Sequence, residues 1–82
     1  MAAVTYFVVQ PFKLIEGELV PGDPIEKQSA DGARLSARLI GQRDGEGAIA
    51  FSRRGDPSLG DFEDAVVLVR AGLVPDEFAA AG

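Results

Sequence analysis

Asp56, Asp61, Glu63 and Asp64 fall within the ten residues Gly55-Asp56-Pro57-Ser58-Leu59-Gly60-Asp61-Phe62-Glu63-Asp64, the densest gathering of carboxylate oxygen in this sequence. Calcium takes roughly six to eight oxygen ligands, and such a loop offers several of them. The spacing is not that of an EF-hand, where Asp-x-Asp-x-Asp-Gly leads on to a distant glutamate. The punctuation fits a solvated turn that starts at Asp56-Pro57. Phe62 stands alone among these acids. It either folds the loop onto a sheet, which is the expectation, or offers a partner an apolar anchor.

The remaining chemistry is sparse. The chain has no histidine and no cysteine, so neither a Ser-His-Asp nor a Cys-His unit can form. Ser29, Ser36, Ser52 and Ser58 have no histidine base, and Lys13 and Lys27 lie in polar surroundings that would not lower their pKa. Gly41, Gly45 and Gly47 follow a helix, whereas a phosphate-binding loop precedes one. Arg53-Arg54, with Arg43, is the one basic cluster, and Asp44, Glu46 and Asp56 nearby favour internal ion pairing over nucleic-acid contact. No enzyme, no cofactor and no metal are expected.

Thirteen acids against eight bases give a net charge of −5 over 82 residues. That sign opposes direct contact with nucleic acid or an anionic membrane, and favours a basic partner surface. It also keeps a small domain in solution, its commonest role. The length allows one domain, 1–82, with a frayed tail at 79–82. No apolar run approaches the roughly 20 residues of a membrane span. With no disulfide possible and no signal peptide before the first strand, a cytoplasmic location is expected.

Val4–Gln10 is rich in β-branched and aromatic residues and reads as a strand ending at Pro11. Leu14-Ile15 and Leu19-Val20 flank a hairpin turn at Gly17, Pro21–Pro24 reads as a turn, and Ile25–Gln28 as a short edge strand guarded by Lys27. Ser29–Arg43 is the amphipathic helix: Ser29 caps it, Ala33, Ser36, Ala37, Leu39 and Ile40 share its apolar face, and Asp31, Arg34, Arg38 and Gln42 lie opposite. Ala48–Arg54 and Ala65–Arg70 are two further strands, antiparallel neighbours across the Gly55–Asp64 loop. Pro75-Asp76-Glu77-Phe78 reads as the start of a short second helix.

The fold expected is α+β: a small antiparallel sheet of three to five strands, with one main amphipathic helix on one face. The strand–helix–strand order, with Val8-Val9-Gln10-Pro11-Phe12 at its start, resembles half of a peptidoglycan-binding repeat domain. The other half is missing, and no residue roles are carried over. Because the strands are apolar on both sides, the second sheet face needs its own cover. With Ile49 and Phe51 assigned to the helix side, Ala48, Ala50, Val67 and Val69 would form a flat surface for self-association or docking.

These features point to a non-catalytic protein-binding module. Small, acidic, cysteine-free and catalytically empty also describes many phage- or mobile-element-encoded inhibitors, anti-CRISPR proteins among them, an argument by analogy of class. Such a protein would bind a larger nucleic-acid-handling complex and block its basic groove, with Asp56, Asp61, Glu63, Asp64, Glu16 and Glu18 imitating phosphates and Phe62 as anchor. One alternative is a housekeeping or regulatory homodimer with no nucleic-acid connection. Another is a domain that binds calcium or a small molecule.

Overall fold

Twelve residues, Val4–Ile15, form one unbroken strand, β1. The computed structural model of the chain describes residues 3–76. The strand does not end at Pro11. The Pro11 carbonyl accepts from Gly22 N–H at 3.0 Å, so this residue turns its hydrogen-bonding side toward Gly22 and away from its ladder partner Ala48. Its missing N–H therefore costs the central ladder nothing. Beyond it the chain turns over at Glu16 (φ 51°) and Gly17 (φ 84°), two residues in the left-handed region, and returns as β2, Glu18–Pro21. Two positive φ values make the primed turn that matches strand twist, and the glycine adopts its half without strain.

β3 (Ile25–Lys27) pairs with the Phe7–Val9 part of β1, beside but separate from β2. The helix α1 covers Ala30–Gly41, and the Ser29 hydroxyl caps it by accepting from Gly32 N–H at 3.0 Å. β4 (Glu46–Asp56) runs antiparallel along β1 from Lys13 to Val4 and forms the other central strand. The outer position beside it is shared by β5 (Asp61–Phe62) and β6 (Val66–Gly72), both antiparallel to β4. The result is a six-stranded antiparallel sheet, four strands along its main path, with one helix packed against it.

The core lies between α1 and the sheet. Val9, Ala33, Ala37, Ile40, Ala48 and Ala50 are buried together, with Phe7, Leu68 and Val69 packed against them. Four of the six are alanines, so helix and sheet approach closely. At the helix end a methyl placed on Gly41 would sit 2.6 Å from the Ala71 side chain. This reverses the assignment expected for β4: the alanines face the helix, while Ile49 and Phe51 point away from it. A strand apolar on both sides leaves that choice to packing, and the small side chains win the narrow interface.

Leu39 also departs from expectation. It is 51% exposed and Leu35 59%, a pair one turn apart on the outer side of the helix. Between Ala50 and Phe51 the register slips, so that Val69 faces Ala50, Val67 faces Phe51, and Leu68 has no direct partner. The slip is a β-bulge, and it sends Val67 and Val69 to opposite faces. At Gly72 (φ 68°) the chain turns again. The Leu73 N–H bonds the Glu46 carbonyl at 3.2 Å, and the Leu73 backbone lies where a side chain on Gly47 would project. The expected helix over Pro75–Phe78 falls, apart from its first two residues, outside the described residues.

Candidate protein interface

On the sheet face opposite α1, Gln10, Ile49, Phe51, Arg53, Ala65 and Val67 line a groove of about 320 Å³. Register explains the gathering. Gln10 lies opposite Ile49, Val8 opposite Phe51, Tyr6 opposite Arg53, and the bulge brings Val67 beside Phe51. Residues opposite one another in an antiparallel pair project to the same face. The one polar group on the floor is already engaged: the Gln10 amide donates to the Gly22 carbonyl at 2.8 Å and the Pro11 carbonyl at 3.0 Å. The floor is therefore apolar.

Arg53 closes one end of the groove. Its Nε donates to the Glu63 carbonyl at 3.0 Å, and its guanidinium carbon lies 5.5 Å from the centroid of the Phe62 ring. The other neighbour of Phe62 is Tyr6, with ring centroids 6.2 Å apart and planes at 46°. Phe62 lies over Gly55, where any side chain would collide with the ring. The loop is thus folded onto the sheet by Phe62, as expected, though the ring remains 40% exposed. Arg53 bonds a carbonyl and an aromatic face rather than a carboxylate. Arg43, by contrast, does form an ion pair, with Glu46 at 3.6 Å, toward the far end of β4.

Asp56 and Asp61 lie directly opposite each other in the β4–β5 pair, where like charges repel. Asp56 is steadied on its other side, since the Ser58 hydroxyl donates to its carboxylate at 2.6 Å and the Ser58 N–H at 3.0 Å. The Ser58 hydroxyl, followed by the backbone N–H groups of Ser58 and Leu59, holds the Asp56 carboxyl below its ordinary value. Among the described residues, no three carboxylates stand close enough together to hold a metal ion.

The residues expected to bind a partner do not form one surface. Asp56, Asp61, Phe62, Glu63 and Asp64 lie at the β4–β5 end. Glu16 and Glu18 lie at the β1–β2 turn, beyond the point where Lys13 faces Glu46. The β1–β4 ladder between the two ends spans about 30 Å at roughly 3.3 Å per residue, in a molecule 45 Å long. The expected self-association surface is also overturned. Ala48 and Ala50 are fully buried beneath α1, Val69 packs on the same core, and of the four only Val67 lies on the open face. The groove residues Gln10, Ile49, Phe51 and Arg53 escaped the sequence reading because their common face depends on the side chosen by the neighbouring alanines.

Comparison with protein-family models, curated proteins and solved structures gives no match. Among the described residues no helix is long and apolar enough to cross a membrane.

Proposed function

We propose that this chain is a non-catalytic protein-interaction module that receives its partner on the sheet face opposite the helix. The observation that carries this reading is the apolar groove between Gln10 and Val67 on the face α1 does not cover. A contiguous apolar surface of this kind, rimmed by charge, is what protein contacts use. Ala65 lines the groove directly after Glu63 and Asp64 in the chain, so the segment leading into the groove is acidic, while Arg53 closes one end of it. With the overall charge of −5, these acids favour a partner whose binding surface carries lysine and arginine.

A nucleic-acid-handling complex has such a surface in its nucleic-acid groove. Blocking that groove, in the manner of anti-CRISPR-like inhibitors, is the specific form of the proposal. The acids near the groove then make the contact, and Glu16 and Glu18, about 30 Å away by strand spacing, act independently of them.

The test is a tagged pull-down from source-organism lysate with wild type and with the D61K/E63K/D64K variant, each confirmed as folded by circular dichroism. Wild type is expected to recover a basic nucleoprotein complex and the variant to lose it. Equal recovery by both would remove the acidic residues from the reading. A Phe51→Ala variant that binds as wild type would remove the groove.

A further inference from the structure

Two apolar surfaces are left over on opposite sides of this molecule, and they complement each other. One is the groove floored by Ile49, Phe51 and Val67, on the sheet face away from α1. The other is a ridge on the outer side of α1, where Leu35 is 59% and Leu39 51% exposed. Both leucines lie away from the helix face that buries Ala33, Ala37 and Ile40. The spacings agree. Four residues along a helix advance about 6 Å, and two residues along a strand about 6.6 Å. A helix laid along β4 therefore sets one leucine beside Ile49 and the other beside Phe51.

Charge agrees as well. Arg38 flanks the ridge and is exposed, whereas its neighbour Arg34 is held by Asp31 at 3.0 Å. Glu63 and Asp64, in the segment that leads into the groove, are exposed too. Among the described residues no ion pair includes Arg38, Glu63 or Asp64. We infer that α1 of one copy of this chain seats Leu35 and Leu39 in the groove of a second copy. The helix can lie along the strand in two directions, and charge selects the one that turns Arg38 toward Glu63 and Asp64. Because ridge and groove lie on opposite faces, the contact is heterologous: every assembly keeps a free ridge at one end and a free groove at the other. Growth therefore continues past two copies, into an open chain or a closed ring. The inference rests on the groove as the docking face, and self-docking competes there with any other partner.

The measurement is multi-angle light scattering of the full chain across a wide concentration range. The expected mass rises from 8.6 kDa and passes twice that value. An L35K/L39K variant, with its ridge spoiled, and a Phe51→Ala variant, with its groove spoiled, should each stay at 8.6 kDa, with circular dichroism showing both folded. Mixed one to one, the two should reach twice 8.6 kDa and no more, since one intact ridge meets one intact groove. A monomer at every concentration overturns the inference, and so does assembly that the L35K/L39K variant leaves intact. A mixture that stays monomeric while wild type assembles also overturns it. None of these results touches recovery of another protein in the pull-down, so the two readings fail separately.

Discussion

The guanidinium of Arg53 rests on the ring of Phe62, 5.5 Å from carbon to centroid, and so ties the acidic hairpin to the floor of the sheet. The contact joins a residue of β4 to one of β5. Truncating Phe62 to alanine removes that contact, the Tyr6 packing and the cover over Gly55 together. The ring is 40% exposed, so the loss should be smaller than for a fully buried phenylalanine, about 1–2 kcal/mol. Urea denaturation measures it as a lower midpoint at constant slope.

Two glycines separate strain from crowding. Gly17 has φ 84°, and a methyl placed on it would meet nothing within 4 Å, so Gly17→Ala should cost about 1 kcal/mol through backbone conformation alone. At Gly47 the obstacle is the Leu73 backbone, which cannot rotate aside. Gly47→Ala should cost more, about 2–3 kcal/mol. Thermal denaturation of the two variants side by side tests the order.

Acid should loosen the β4–β5 hairpin through Asp56. Its carboxyl titrates below the ordinary range because the Ser58 hydroxyl binds the charged form. A depressed folded value means that the contribution is fully present above the unfolded carboxylate range and disappears as pH falls through the folded value. Ser58→Ala should raise the Asp56 titration midpoint toward the ordinary value. Side-chain NMR titration reads the change directly, and a midpoint that stays put would remove Ser58 as its cause.

Ala50 and Leu39 should respond in opposite ways. Ala50 is fully buried against the helix, and Ala50→Leu should cost about 2–3 kcal/mol through overpacking. Leu39 is 51% exposed, and Leu39→Lys should stay within about 0.5 kcal/mol of wild type. If the two effects were exchanged, the helix would be seated on a different face.

Much of the fold is legible from local signals. Ser29 caps the helix, Gly17 makes the first hairpin, and Lys27 lies on an edge, because each depends on residues a few positions away. Two kinds of information are not local. The parity of β4 turns on whether Ala48 and Ala50 or Ile49 and Phe51 meet the helix, and only the width available beneath Ala33 and Ala37 decides it. The separation of Glu16 and Glu18 from Asp61 and Asp64 depends on β1 pairing with β4 along its length. Composition shows the acids and says nothing of the distance between them. Pro11 misled for a related reason: a proline ends a strand unless its hydrogen-bonding side faces away from the ladder.

β1 and β4 also set an order of events during synthesis. Val4 meets Gly55 and Lys13 meets Glu46, so the two middle strands join residues far apart in sequence, with α1 between them. Such distant pairing is slow, because a long loop must close before any contact rewards it. The hairpin of β1 and β2 leaves the ribosome before β4 and waits, one side of β1 bare, until residue 56 has emerged to complete β4. During that interval the nascent chain presents an apolar strand to whatever is nearby, and its yield in the cell will depend on how quickly translation covers the distance.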